Sequence, residues 1–394
     1  MTQLYKMIAT CPEEIKPLLT KELQDLGASD ITPLYRAVEF SVNETGFYKA
    51  HLKLRTPSQL LLVIKSFSAK DQVMLQSQAK RIKWLDIFSS DRTYLVDGVQ
   101  TDRGAELMTS NDVSKTVRLA IEDVFNHNNL PLPKVDLKDP DIKFVAHSQK
   151  GRCTLSINTT GKSLHKRGYR VEGHPAPMKE TLAASLLMFA GYTGDEPLFD
   201  AMCGSGTLAI EATQISLKKA PMIHRKKGEF GFESLKLFNR NLWREIQDEV
   251  RLEKSDVPAQ PISARDISEG YVEMAKSNAL RARVEKYIDF SVGDFLTSTP
   301  PTEKGLLVCN LPYGERLKIG GLSLEEFYQE VGNKLKKDYT GWRVAFMTSE
   351  TAPHKLIGLK TTRRLTVLNG SIKCKFLTYD MYEGSKKQKK KDDK

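Results

Sequence analysis

The sequence is poor in cysteine, and what it has is not arranged for cross-linking. Five cysteines (Cys11, Cys153, Cys203, Cys309 and Cys374) are scattered along the chain with no CxxC pair. An odd, dispersed set argues against a disulfide framework or a zinc site and fits reduced thiols of the cytosol, so no metal is expected. The first residues, MTQLYKMIATCPEE, lack an apolar core, so a signal peptide is not expected and a cytoplasmic location is. The longest apolar runs, such as Leu60 to Ile64, are far too short to span a bilayer. No internal repeat is visible.

What is present is ample material for more than one domain. The 394 residues suggest two or three, and 40% apolar with 28% charged residues is normal for packed, soluble cores. The net charge is +11, with an isoelectric point near 9.2. Such an excess favours a polyanionic partner, because each cation that neutralises a phosphate also releases a counterion. A basic, solvated surface would have the same composition, and charge alone does not separate the two.

Along the chain, Leu4 to Thr10 reads as a strand. Ile15, Leu18, Leu19, Leu23 and Leu26 then fall at helical spacing, with Pro17 near the start and Gly27 as the stop. Val38 to Val42 follows as a second strand, so the opening is a βαβ unit of a small α+β module, taken as residues 1–43. Between Glu44 and Asn158 helical and strand patterns alternate, including a helix Asn111 to Asn126 and a strand Cys153 to Asn158. Residues 159–178, rich in Gly, Pro and basic side chains, read as a linker leading into a helix Lys179 to Ala190. From 179 to 384 short apolar runs each lead into a helix, the signature of a parallel α/β sheet. Residues 385–394 form a basic tail expected to be disordered.

The strongest local signal is LFDAMCGSGTLAIEA, Leu198 to Ala212. A strand ending at Asp200 enters a glycine turn (Cys203, Gly204, Ser205, Gly206), and a helix begins near Thr207. Glycines there permit positive φ and close ligand approach, while the helix N-terminus offers unpaired N–H groups. The turn matches neither GxGxxG nor a Walker A loop. Asp, three residues, then Gly-Ser-Gly resembles the form used by S-adenosylmethionine enzymes. Asp266, ending PISARD before a helix, is placed to accept the ribose hydroxyls, and Asp294, ending YIDFSVGD, the adenine amine. Either alone reads as a surface carboxylate or cap; three acidic strand ends around one glycine turn are harder to explain so. The long interval before Asp266 reads as an insertion, with an amphipathic helix near Leu242 to Leu252 and a basic cluster (Lys218, Lys219, His224, Arg225, Lys226, Lys227). That cluster suits either phosphate contact or a solvated loop.

After the apolar run Gly305 to Cys309 comes Asn310-Leu311-Pro312-Tyr313-Gly314, at the C-terminal end of a predicted strand, where open α/β sheets build their sites. It is similar to the (N/D/S)-P-P-(Y/F) motif of methyltransferases acting on planar amino nitrogens. The lone pair of such a nitrogen is delocalised, so the nucleophile is weak. The Asn310 side-chain oxygen and the Leu311 carbonyl would accept the two amino protons and favour pyramidal geometry, and the Tyr313 ring would stack on the base. Leu311 stands where the motif has its first proline; Pro312 still biases Leu311 toward an extended conformation that aims its carbonyl.

Taken together, TGKSLHKRGYR, PMKETLAA, DAMCGSGTLAIEA and NLPYGERL, with ATCPEEIKPLLTKELQDLGA and NLPLPKVDLKDPDI ahead of them, resemble the L-type large-subunit (23S) ribosomal RNA guanine-N2 methyltransferases of the THUMP-containing group. The resemblance runs over nearly the whole chain. It implies a Rossmann-like class I methyltransferase domain behind a ferredoxin-like segment (1–43) and a THUMP RNA-binding domain (44–158), with S-adenosyl-L-methionine as cofactor. By position Asp200, Cys203, Gly204, Ser205, Gly206, Thr207, Asp266 and Asp294 would hold the cofactor, and Asn310, Leu311, Pro312 and Tyr313 a flipped guanine. Lys162, His165, Lys166, Arg167 and Arg170 of the linker, with Arg225, Lys226 and Lys227, would grip phosphates, which position RNA without reading its sequence. Ribosomal RNA is thus the expected partner, with neither DNA, membrane nor an obligate protein partner. A second, 7-methylguanine-forming domain, fused in some members, is not expected after Tyr382. THUMP-type tRNA guanine-N2 enzymes, adenine-N6 enzymes and a non-catalytic assembly factor remain open; a protein-glutamine methyltransferase would leave the N-terminal module unexplained.

Overall fold

The computed structural model describes residues 3–102, 108–170, 178–313 and 321–382. The end of the expected linker (171–177), the residues after Tyr313 (314–320) and the basic tail lie outside them. The chain divides into two units, one of residues 1–164 with 222–250, the other of 165–221 with 251–394.

The first unit carries β1 (Tyr5–Thr10), α1 (Lys16–Asp25), β2 (Ser29–Leu34), β3 (Ala37–Val42), α2 (Glu44–Lys53), β4 (Gln59–Ser68), α3 (Gln72–Lys80), α4 (Trp84–Ile87), β5 (Tyr94–Gln100), α5 (Ser110–His127), β6 (Ile142–Gln149) and β7 (Arg152–Asn158). Its strands form a single seven-stranded sheet in the order β2-β3-β1-β4-β7-β6-β5. Pro17 sits in the first turn of α1, where its missing N–H is harmless. Thr109 and Asp112 close a reciprocal capping box at the start of α5, whose Val113, Val117, Ala120, Ile121 and Phe125 make the buried stripe. The sequence marks β1, β3 and β7 individually and gives no sign of β2. β2 is an edge strand with five of its six residues exposed, so no alternation marks it, and Asp30 at φ 51° lies between pairing registers.

The second unit carries α6 (Glu180–Phe189), β8 (Leu198–Asp200) and α7 (Thr207–Ser216). After the insertion, which ends in α8 (Arg240–Leu252), come β9 (Ile262–Asp266), α9 (Glu269–Arg281), β10 (Asp289–Val292), β11 (Leu306–Asn310), α10 (Leu324–Asp338), β12 (Arg343–Ser349), β13 (Arg363–Asn369) and β14 (Ile372–Asp380). The sheet order is β10-β9-β8-β11-β12-β14-β13. The first five strands are parallel, and β14 runs antiparallel to both its neighbours. Strand β11 is buried on both faces, and Leu307, Phe346, Trp342, Tyr328 and Val331 lie in one core. From β8 the chain builds outward through β9 and β10, then crosses to β11 and β12 on the other side. The topological switch point therefore falls between β8 and β11, where open α/β sheets form a crevice beyond their strand ends.

Residues 222–250 of the insertion between α7 and β9 belong to the first unit, not to the sheet they interrupt. Phe230, Phe232 and Trp243 pack edge-to-face or tilted on Tyr48 and His51 of α2. Backbone bonds tie Met222 to Leu52 and Phe232 to Thr159. His51, fully buried, is bonded to the Phe47 carbonyl and the Thr159 hydroxyl, and burial drives its pKa down to about 3. It is a neutral core side chain.

Candidate active site

The expected cofactor residues converge at one edge of the second sheet because the parallel register aligns their strand ends. Asp200 is level with Ala264 of β9 and Val308 of β11, and Asp266 with Val292 of β10. Backbone bonds lace the ends together: the Cys203 amide donates to the Arg265 carbonyl, Ala201 to Val308, and Gly293 to Asp266.

Two glycines shape the turn for different reasons. Gly206 is the N-cap of α7 at φ 79°, and a Cβ there would lie 2.9 Å from the Ala275 Cβ of α9, so the position is closed by packing as well as conformation. Gly204 is also left-handed, at φ 52°, but a Cβ on it would meet nothing within 4 Å. The turn thus presents bare backbone to open space at Gly204. Asp266, almost fully buried, fixes it: Oδ2 accepts from the Gly204 amide at 2.9 Å and Oδ1 from Ser268 at 3.0 Å. Asn278 adds a bond to the Ser205 carbonyl at 2.9 Å, a contact no local pattern signalled. The Ser205 and Thr207 hydroxyls lie 3.2 Å apart.

Asp200 is completely buried, its Oδ2 facing the Ala209 amide in the first turn of α7 at 3.3 Å. Burial above all, with the Asp266 charge, raises its pKa to about 8 against the pull of the Ala209 amide. Burial likewise pushes the thiols of Cys203 and Cys309 upward, so neither is a nucleophile. Asp294 is partly exposed, and its Oδ1 caps a short 3-10 turn at the Leu296 amide, 2.9 Å away.

Asn310 is the last residue of β11, across the switch point from the turn. Its Oδ1 is buried and has no hydrogen-bond partner among the described residues. A buried acceptor left unmade is unfavourable and points to something absent that should donate to it. Leu311 explains its own departure from the motif: its side chain is wholly buried in the core while its amide donates to the Met347 carbonyl. The Pro312 carbonyl accepts from the Tyr328 hydroxyl at 3.2 Å. Tyr313 is half-buried, and its hydroxyl accepts from the Asn369 amide at 3.3 Å, a partner supplied by the β13–β14 hairpin and invisible to motif reading.

The expected phosphate-binding residues separate into two groups. Arg167 must be withdrawn from that role, because its buried guanidinium lies 3.6 Å from Glu211, which also accepts from Tyr169. Arg170 is committed too, to Glu180 at 2.8 Å and Thr207 at 3.2 Å, clasping α6 to the start of α7. His165 is half-buried, and burial with nearby cations lowers its pKa to about 4, so it carries no charge near neutrality. Arg225 lies over the Phe230 ring at 4.7 Å, and Lys219 is buried on the Ala282 carbonyl at 2.5 Å. Lys166, Lys218, His224, Lys226 and Lys227 are exposed; Lys162 is exposed and paired with Glu229 at 3.2 Å. Among the described residues no group of three side chains could ligate a metal, and no helix is long and apolar enough to cross a membrane.

Comparison with known proteins places these features. Residues 6–61 match the RlmL ferredoxin-like domain, 69–158 the THUMP domain and 167–378 the RMKL-like methyltransferase domain. A protein described as "Putative RNA methyltransferase" from Synechocystis is 33% identical over 95% of this chain and 96% of its own length. The "Ribosomal RNA large subunit methyltransferase K/L" of Shewanella frigidimarina is 33% identical over 97% of the chain, which spans only 54% of that relative. A crystal structure of "a putative methyltransferase complexed with SAH" superposes with a TM-score of 0.86 at 25% identity, covering 98% of this chain and all of the other. A "predicted N6-adenine-specific DNA methylase" from Listeria monocytogenes gives 0.85 at 26%, covering 96% and 97%. The chain belongs to the RMKL-like methyltransferase family, with a Rossmann-like class I methyltransferase fold behind ferredoxin-like and THUMP domains.

Proposed function

We propose that the chain transfers a methyl group from S-adenosyl-L-methionine to the exocyclic N2 amine of a guanine in large-subunit ribosomal RNA, with the base flipped out of its stack. The observation that carries this reading is the buried Oδ1 of Asn310, which has no hydrogen-bond partner among the described residues, at the topological switch point across from a glycine turn open at Gly204. That oxygen is what an amino group would satisfy. With the Leu311 carbonyl it would hold both amine protons, orient the nitrogen and stabilise the charge that develops as it attacks. Tyr313, anchored by Asn369, would supply the stacking face.

The chain's residues fit the cofactor. The Asp266 carboxylate spends two of its roughly four acceptor sites on Gly204 and Ser268, leaving capacity for ribose hydroxyls. Asp294 has an oxygen for the adenine amine beyond the one that caps Leu296. Asp200, Cys203, Ser205, Gly206 and Thr207 build and brace the turn. S-adenosylmethionine supplies a methyl group on a sulfonium, already electrophilic, so no general base of high strength is needed before attack. Residues 44–158, with the exposed Lys166, Lys226 and Lys227, would hold RNA phosphates.

The choice of guanine in ribosomal RNA rests on the family resemblance and the relatives' names; the Listeria neighbour favours adenine N6 as the second reading. Mass spectrometry of nucleosides from cells with and without the gene, in separate large-subunit, small-subunit and tRNA pools, tests it. Loss of one N2-methylguanine from the large-subunit pool, restored by wild type and not by Asn310→Ala, is expected. Loss confined to tRNA, or loss of N6-methyladenine, would replace the substrate. In calorimetry Asp266→Ala should weaken cofactor binding by roughly 1.5–3 kcal/mol, whereas Asn310→Ala should bind normally without turnover. Equal loss of affinity in both would overturn the role assignment.

A further inference from the structure

The second unit holds a cavity of about 640 Å³ outside the crevice described above, walled by residues 354–361 and floored by β13 and β14. Four cationic side chains line it, Lys355, Lys360, Arg364 and Lys375, and none of the described lining residues is acidic. Lys355, Lys360 and Arg364 are exposed; among the described residues Lys375 alone of the four is ion-paired, with Glu350 at 4.0 Å. The floor is apolar, made by the buried Leu377 and Tyr379, and Thr361 and Thr366 add hydroxyls at the rim. Like charges crowded around a concave, low-dielectric floor repel one another and reinforce a positive potential, which an anion relieves.

The position of the cavity says which anion. Thr366 pairs with Lys375 in the β13–β14 ladder, and the ladder ends at Asn369 opposite Ile372. Asn369 is the residue that donates to the Tyr313 hydroxyl. Three residues of strand, about 10 Å at 3.3 Å per residue, separate Thr366 at the cavity rim from the anchor of the base-stacking ring, an odd step that sets the two on opposite faces of the hairpin near its end. A strand whose base enters beside Asn310 and Tyr313 would carry its flanking phosphates around the end of this hairpin to the cavity.

We infer that this cavity is a phosphate-binding groove for the RNA strand flanking the target base, gripping it within the catalytic unit itself. This rests on the reading of the chain as an RNA methyltransferase. The groove gives register at the catalytic unit, whereas the N-terminal unit would bind RNA as a whole. Contacts of this kind are electrostatic and carry no sequence information.

The test uses the full chain with Lys355→Gln, Lys360→Gln and Arg364→Gln combined. The control carries Arg281→Gln, Lys304→Gln and Lys337→Gln, exposed cations near the opposite ends of the strands. Fluorescence anisotropy with a single-stranded RNA 20-mer of arbitrary sequence, titrated from low to moderate salt, gives the affinity and its salt slope. The groove variant should bind several-fold more weakly, with a slope of log affinity against log salt shallower by about 2. Its S-adenosylmethionine affinity and melting temperature should match wild type, and its KM for RNA should rise with kcat preserved. Affinity and slope equal to wild type, or equal losses in groove and control variants, overturn the inference even if the chain methylates RNA. Methylation of a different RNA pool would change the substrate named above and leave the groove standing.

Discussion

Replacing Gly204 and Gly206 separately by alanine should pull apart two properties of one turn. Both glycines have left-handed backbone, at φ 52° and 79°, where an L side chain costs about 1–2 kcal/mol. Alanine also stiffens the unfolded chain, which returns about 0.4–1 kcal/mol. At Gly204 nothing lies within 4 Å of the added carbon, so the net loss of stability is about 1 kcal/mol. At Gly206 the new Cβ meets the Ala275 Cβ at 2.9 Å and the Ala275 Cα at 3.2 Å, and helix α9 must move. Overpacking of that kind adds about 1–3 kcal/mol, for a total of about 2–4. Urea unfolding, with hydrogen exchange of the α9 and β12 amides to localise the change, measures both. Cofactor affinity should follow the reverse order. The Gly204→Ala methyl projects into the space the turn faces and should weaken S-adenosylmethionine binding by tenfold or more, about 1.4 kcal/mol. Gly204→Ala protein that is folded and binds the cofactor normally would remove the cofactor from the face of the turn. A Gly204→Ala variant as unstable as Gly206→Ala would refute the packing argument.

Asp200 makes stability pH-dependent. Its folded carboxyl holds a proton up to about pH 8 that the unfolded chain releases near 3.8, so ligand-free stability should fall as pH rises through that window and level off above it. Urea midpoints between pH 6 and 9 should decline for wild type and less for Asp200→Asn; identical profiles would contradict a raised pKa. Arg167→Met should destabilise the second unit by about 3–5 kcal/mol by stranding the Glu211 charge, with Glu211→Gln restoring most of it, and without altering the salt slope of RNA binding. A shallower slope in that variant would return Arg167 to the RNA. Trp243→Ala should cost about 3–5 kcal/mol and expose α2 amides to exchange while β8 to β12 stay protected. Loss of protection in β8 to β12 instead would show that the insertion supports the sheet it interrupts.

What the sequence determined by itself were the parts whose meaning is local. A strand, a glycine turn and a helix start within ten residues of Asp200, because positive φ at Gly204 and Gly206 and the unpaired amides of α7 are written in consecutive residues. The order of Asp266, Asp294 and Asn310 was legible for the same reason: Asp266 and Asn310 close β9 and β11, and Asp294 follows β10 by two residues. The first-turn proline of α1 was equally local. Tertiary structure alone decided what each buried face meets. The amphipathic pattern of α8 shows a side to be covered, but only folding delivers Phe230, Phe232 and Trp243 to α2 instead of to the neighbouring sheet. A run of basic residues around Arg167 reads as a grip on phosphates until Glu211, distant in sequence, arrives to bury its charge. Leu311 looked like a blemish in the motif, and the core behind it gives the reason it is there. Periodicity reports that a surface is buried; which partner buries it is a long-range choice, made by the free energy of the whole fold and not by any segment's spacing.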